Sequence, residues 1–208
     1  MYFHKTPYLV KVLFPEFWWS RKTDDQVIYL TFDDGPIPAV TEWVLEILQR
    51  YGAKATFFCV GDNVKKHPEV YRQVLAQGHV TGNHTFNHLN GWKTNPSQYL
   101  ENIRSCNESL ALESGQSPLL FRPPYGRLTS QQSRLVRQQY QVVMWDVLTG
   151  DFDQRLSPAH CLIKAIRYTR KGSIVIFHDS LKAEKNLKYV LPRYLEHFSC
   201  LHYRFESL

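Results

Sequence analysis

Five short stretches of the 208-residue sequence carry side chains that could do acid–base or metal chemistry. The first is Thr31-Phe32-Asp33-Asp34-Gly35-Pro36. Adjacent carboxylates leaving a buried strand repel each other and are costly to desolvate unless a cation or a proton neutralises one of them, and a metal ion would do that. The Gly-Pro that follows turns the chain sharply, although Asp-Asp-Gly-Pro taken alone also reads as an ordinary turn. The second stretch is His84-Thr85-Phe86-Asn87-His88. Histidines four apart share one side of a helical turn, so both imidazoles can reach one ion. Joined by an aspartate oxygen they make a site with three protein ligands. Such a site keeps one position open, as catalytic zinc does for the water whose pKa it lowers.

The remaining three are Phe121-Arg122-Pro123-Pro124-Tyr125-Gly126, the segment from Trp145-Asp146-Val147 through Thr149-Gly150-Asp151-Phe152, and Ile174-Val175-Ile176-Phe177-His178-Asp179. His178 at a strand end reads either as a hydrogen-bonded rim histidine or as a general acid with a pKa near neutrality. Asp151 reads either as its tuning partner or as an Asx-turn residue in a Gly-rich loop.

The elements that must position these residues alternate along the chain. Short β-branched or aromatic runs at Val27–Phe32, Ala55–Val60, His79–Gly82, Leu119–Arg122, Gln141–Val147, Ser173–Phe177 and His202–Phe205 predict seven strands. Amphipathic stretches at Thr41–Arg50, Pro68–Gln77, Pro96–Glu113, Ser130–Gln138, Pro158–Thr169 and Lys182–Phe198 predict helices, several opening on Pro or Ser. This is an α/β pattern, and the five stretches close its strands, where α/β folds place their sites. Periodicity alone leaves a closed barrel and an open doubly wound sheet equally available. Neither a G-x-G-x-x-G nor a P-loop motif is present, which argues against dinucleotide or P-loop phosphate chemistry.

With 43% hydrophobic and 21% charged residues, the chain is one globular domain rather than a disordered, collagen-like or coiled-coil protein. No apolar window reaches the ~18 residues of a membrane span. The formal charge of +6 comes from scattered basic residues, so no nucleic-acid partner is expected. Cys59, Cys106, Cys161 and Cys200 form no C-x-x-C pair and mildly favour a reducing compartment. Residues 1–25 are apolar but interrupted by Pro7, Lys11, Pro15 and Glu16, with no small-residue cleavage site, so a cleavable signal peptide is not expected and a cytoplasmic or peripheral-membrane location is favoured. Val10, Leu13, Phe14, Phe17 and Trp18 either fold back on the domain as a plug or short helix, or anchor it at a membrane interface.

Taken in order, Thr-Phe-Asp-Asp-Gly-Pro, His-Thr-x-x-His, Arg-Pro-Pro-Tyr-Gly, Asp-Phe and Ile-x-His resemble the five motifs of the polysaccharide deacetylases, the NodB-homology domain of carbohydrate esterase family 4. The resemblance spans about residues 26–205 and implies a single catalytic domain, 26–208, built as a distorted (β/α)7 barrel of the TIM-like kind. It implies a hydrolase of non-peptide carbon–nitrogen bonds that removes N-acetyl groups from N-acetylglucosamine units of a glycan, either peptidoglycan or a chitin-like oligosaccharide. By position, Asp34, His84 and His88 resemble the metal ligands, usually for Zn2+ with Co2+ as another option. Asp33 resembles the base that activates the metal's water, and His178 the acid that protonates the departing amine. Arg122 resembles the residue that orients the base and Asp151 the one that tunes the acid. The Tyr125 backbone N–H is the expected oxyanion donor. Phe152 and Ile176, which stand where the family usually has Trp and Leu, line the acetyl pocket and put the accepted acyl size in question. A deacylase of a small or lipid-linked amide and a non-catalytic glycan-binding barrel are the alternatives. No oligomeric state is legible.

Overall fold

The structure is a computed structural model and describes residues 2–208. Its eight strands, β1 (Val27–Asp33), β2 (Thr56–Cys59), β3 (Val80–Asn83), β4 (Leu120–Phe121), β5 (Gln141–Val142), β6 (Val147–Leu148), β7 (Ile174–His178) and β8 (Arg204–Glu206), form one parallel sheet. The order is β5-β4-β3-β2-β1-β7-β6, with β8 paired to β1. Eight helices pack with it: α1 (Tyr8–Leu13), α2 (Val40–Arg50), α3 (Gly61–Lys66), α4 (Pro68–Ala76), α5 (Pro96–Ser114), α6 (Ser130–Val136), α7 (Pro158–Tyr168) and α8 (Glu184–Cys200). The result is a half-barrel, a single-domain α/β fold.

β1 is the axis of the sheet because both its faces are covered and all but one of its seven residues are buried. Phe32 stacks between Phe57 on β2 and Phe177 on β7, with ring centroids 5.0 and 5.6 Å away. Each such fully buried ring contributes on the order of 2–3 kcal/mol. α2 lays Val44, Leu45, Ile47 and Leu48 onto this core, and α8 lays Leu187, Val190, Leu191 and Leu195. Asn95 and Ser157 cap α5 and α7 by accepting from the backbone N–H groups of Gln98 and His160.

The run at 141–147 is two strands rather than one, which raises the expected seven to eight. Val143 N–H still donates to Phe121 on β4, whereas Asp146 N–H donates to Ile174 on β7, so residues 143–146 carry the chain across the gap between the two ends of the sheet. That crossing is what distorts the barrel. The N-terminal segment lies over it: Lys5 bridges Val147, Trp18 bridges Val143 and Ser20 bridges Ser173. The Asp146 carboxylate accepts from Lys5 at 2.6 Å, from Lys11 and from Ser173 at 2.6 Å. Val10, Phe17 and Trp18 pack on the core. Leu13 and Phe14 are 62% and 46% exposed, although the Phe14 ring stacks on that of Phe17 at 5.8 Å. No helix is long and apolar enough to cross a membrane among the described residues.

Candidate active site

The carboxyl ends of β1, β3, β4, β6 and β7 surround one cavity of about 540 Å³. Asp33, the last residue of β1, is buried. Its Oδ1 accepts from Arg122 at 2.7 Å, and its Oδ2 stands 3.7 Å from Nε2 of His84. Arg122 follows β4 and is completely buried, with its guanidinium spread over the Phe58 ring at 4.1 Å. It also donates to the Thr31 hydroxyl and to the carbonyls of Val143 and Met144. Burial lowers the Arg122 pKa and the Asp33 charge partly offsets this.

Asp34 takes φ +84, and this left-handed turn swings its carboxylate back toward the cavity. Asn63 holds its carbonyl at 2.7 Å, and Gly35 N–H donates to Asp179. His84 and His88 lie not on a helical turn but in a loop after β3, which corrects the sequence expectation. Thr85 and His88 have φ +63 and +55. The loop is tied by polar side chains that substitute for a helix: Asn83 Oδ1 accepts from Thr85 N–H, Thr85 Oγ1 from Leu89 N–H, and Asn102 Oδ1 from the N–H groups of Phe86 and Asn87.

The loop delivers both rings to Asp34. His88 Nε2 is 3.3 Å and His84 Nε2 is 3.8 Å from Asp34 Oδ1, and one donor atom from each of the three residues lies within 4.8 Å of the others. Nδ1–H of His84 donates to the Arg122 carbonyl at 2.7 Å, which leaves Nε2 unprotonated and facing the carboxylates. Burial pushes the His84 pKa down to about 4 although both aspartates oppose it, so the ring is neutral and able to bind a metal at ordinary pH. Burial alone would raise the Asp34 pKa, but the hydrogen bond with His88 and the nearby imidazoles hold it well below the usual range. One carboxylate oxygen and two imidazole nitrogens converging at this spacing fit a divalent first-row ion.

Across the cavity His178 ends β7. Its Nδ1–H donates to Asp151 Oδ1 at 2.8 Å, and its backbone N–H donates to Oδ2 of the same carboxylate, also at 2.8 Å. Burial works against protonation here, but the Asp151 charge and hydrogen bond, with Asp34 and Asp33 beyond, raise the His178 pKa to about 9. The ring is therefore a protonated donor at neutral pH. Phe152 lies against it edge-on at 4.9 Å, and Ile176 and Leu148 complete that wall. Tyr125 has φ +60 and an exposed ring 4.7 Å from that of His88.

Every residue singled out from the sequence thus meets at one place: Asp33, Asp34, His84, His88, Tyr125, Phe152, Ile176 and His178 line the cavity, and Arg122 and Asp151 stand directly behind it. Sequence reasoning missed others. Tyr2, Arg127, Trp145, Leu148 and Lys182 also line the cavity. Asp179 is buried behind the Asp34 turn, accepting from the Thr41 hydroxyl at 2.6 Å and from Gly35 N–H at 3.1 Å, and burial raises its pKa to about 8. Its signal was available, since it adjoins His178 at a strand end. Tyr2 had none.

The arrangement defines a hydrolytic centre in which a three-ligand cluster lies between a candidate base and a candidate acid. A family model described as polysaccharide deacetylase matches residues 20–145, and the chain belongs to that family. It is 33% identical over 193 residues to a peptidoglycan-N-acetylglucosamine deacetylase of Bacillus cereus, covering 91% of this chain and 90% of that one. It is 36% identical over 164 residues to a chitooligosaccharide deacetylase of Azorhizobium caulinodans, covering 77% of each. The crystal structure of a peptidoglycan N-acetylglucosamine deacetylase in complex with 4-naphthalen-1-yl-N-oxidanyl-benzamide superposes with a TM-score of 0.89 at 29% identity, over 98% of this chain and 95% of that one.

Proposed function

We propose that the chain is a metal-dependent hydrolase that removes N-acetyl groups from N-acetylglucosamine units of a glycan, with Zn2+ as its ion. The observation that carries this reading is the placement of Asp33 and His178 on one cavity with the Asp34, His84 and His88 cluster. Held there, the ion would supply Lewis-acid polarisation of the amide carbonyl and of the attacking water.

The rest is done by the chain. Arg122 binds Asp33 through Oδ1 and leaves Oδ2 turned to the cavity to take the proton of the attacking water. The Tyr125 backbone N–H is the donor for the oxygen that gains charge as the carbonyl becomes tetrahedral. His178 presents Nε2–H to the leaving nitrogen, and Asp151 stabilises the charged ring until that proton is given. The products are acetate and the free amine. Phe152, Ile176 and Leu148 form the apolar wall for the acetyl methyl.

Arg127 and Lys182 line the cavity with no carboxylate within salt-bridge distance among the described residues. Cations at the cavity that face aromatic rings rather than carboxylates, Arg127 over Trp92 and Lys182 over Phe152, favour a glycan with acidic substituents, such as peptidoglycan, over a neutral chitin-like chain.

The test is release of acetate and free amine from N-acetylglucosamine oligomers and from peptidoglycan, with metal-stripped protein, zinc added back and Asp33→Asn alongside. Zinc-dependent release that the variant lacks is expected. No release from either polymer by protein that has bound zinc stoichiometrically would overturn the reading.

A further inference from the structure

Residues 4–6 run antiparallel along β6, the edge strand beside β7. Leu148 N–H donates to the His4 carbonyl at 2.9 Å, and Nδ1–H of His4 donates back to the Leu148 carbonyl at 2.9 Å. Thr6 N–H donates to the Asp146 carbonyl at 2.9 Å, and Lys5 forms an antiparallel bridge with Val147. The segment is therefore anchored at residues 4–11 through these bonds and the grip of Lys5 and Lys11 on Asp146.

Tyr2 lies beyond those anchors, edge-on to the His4 ring at 5.5 Å, and its other contacts are at the cavity. Its ring centroid is 5.2 Å from that of Phe152, whose ring in turn covers His178 at 4.9 Å. Its hydroxyl donates to Asp153 Oδ2 at 3.1 Å. Burial and then the Asp153 carboxylate raise the hydroxyl's pKa, so it remains a donor throughout the working range. Residue 150 must leave room for it. A Cβ on Gly150 would stand 2.8 Å from His4 Cε1 and 3.2 Å from the Tyr2 hydroxyl, and φ is +78 there. A ring held at both its face and its hydroxyl is a rigid wall, because only two side-chain torsions need fixing.

We propose that Tyr2 is a specificity-determining residue that, with Leu148, Phe152 and Ile176, bounds the space for the substrate's acyl group and restricts it to short chains. The inference rests on the deacylase reading above. A wall of this kind discriminates through steric contact with each added methylene, which in an apolar pocket is worth about 10- to 200-fold.

The experiment compares the N-acetyl, N-propionyl and N-butyryl forms of the glucosamine trimer. Amine release by zinc-loaded wild type, Tyr2→Ala, Tyr2→Leu and Tyr2→Phe gives kcat/KM for each. Calorimetric dissociation constants for the same trimers give a second readout that does not require turnover. The expected result is that Tyr2→Ala raises the butyryl-to-acetyl ratio by at least about tenfold in both readouts. Tyr2→Leu should raise it less, and Tyr2→Phe, which keeps the ring, should leave it near the wild-type value. Ratios within twofold of wild type in a Tyr2→Ala or Tyr2→Leu protein that keeps its thermal midpoint would overturn the proposal, as would an equal loss on all three trimers. No release from any trimer by wild type would instead count against the deacylase reading, and the calorimetric ratios would still decide the role of Tyr2.

Discussion

Replacing Asp151 by Asn tests how the candidate acid is built. The neutral amide can still accept from Nδ1–H of His178, so the ring's orientation survives while the charge opposite it disappears. In the wild type, burial lowers the His178 pKa, and the Asp151 charge and hydrogen bond, with Asp34 and Asp33 beyond, more than reverse that, taking it from 6.5 to about 9. At about 1.4 kcal/mol per pH unit, this favours the imidazolium by ~3 kcal/mol, and with only 13% of the side chain exposed little of it is lost to solvent screening. Without the Asp151 charge, burial is opposed only by the more distant Asp34 and Asp33 and the pKa falls. At pH 7.5, where the wild-type ring is above ~95% protonated, the protonated fraction would drop. Because the folded pKa lies above the unfolded one, the stability that this pair contributes is fully present below pH 6.5, fades between 6.5 and about 9, and is absent above. Imidazole NMR titration of the metal-free protein reads the pKa directly, and thermal melts from pH 6 to 10 read the linkage. In the zinc-loaded enzyme kcat should fall at least about tenfold at pH 7.5 and its alkaline limb should move to lower pH. A His178 that titrates within half a unit of wild type in the variant would refute the assignment of its charge to Asp151.

Arg122→Met leaves Asp33 buried without its cation, which should cost ~3–5 kcal/mol in urea denaturation; an unchanged midpoint would show that the pair is not what stabilises this wall. Gly35→Ala would put a Cβ 2.0 Å from Asp179 Oδ2, so the Asp34 turn must move. Zinc affinity measured by chelator competition should weaken at least about tenfold, and unaltered affinity would show that the turn does not set the ligand geometry. Joint replacement of Arg127 and Lys182 by Gln should lower kcat/KM about tenfold on peptidoglycan at low salt, flatten its salt dependence and spare neutral oligomers, whereas equal losses on both substrates would remove the argument from charge.

The strand ends and the chemistry-bearing residues were legible because both are local signals. A β-branched run closing on Asp33 or His178 says in one stretch of chain that a buried strand delivers a polar group to a rim. What stayed hidden depends on contacts distant in sequence. The run at 141–147 is β-branched and aromatic enough to read as one strand, and only the need to pair first with Phe121 and then with Ile174 splits it. The loop holding His84 and His88 has helical spacing but not helical backbone, because Asn83 and Asn102 supply its hydrogen bonds from outside. Tyr2, at the cavity, reaches its partner Asp153 across a separation of 151 in sequence, and nothing near it in sequence points there.

The two adjacent aspartates show why the backbone matters as much as the residue types. Successive side chains of a strand point to opposite faces, so Asp33 and Asp34 on a continued β1 could not share a cavity. Here both do: Asp33 Oδ2 is 3.7 Å and Asp34 Oδ1 is 3.8 Å from the same nitrogen of His84. The φ of +84 at Asp34 makes this possible, at a cost on the order of 1–3 kcal/mol for a residue with a Cβ. Bonds from its neighbours hold that conformation: Asn63 on the Asp34 carbonyl, Asp179 on Gly35 N–H, and Thr41, which binds both Ile37 N–H and Asp179. Once the turn is held, the environments separate the two carboxylates. Asp33, buried and paired with Arg122, is fixed in one orientation, whereas half-buried Asp34 faces two imidazoles. The proposed division of labour between base and metal ligand therefore rests on one left-handed residue and the buried network that keeps it there.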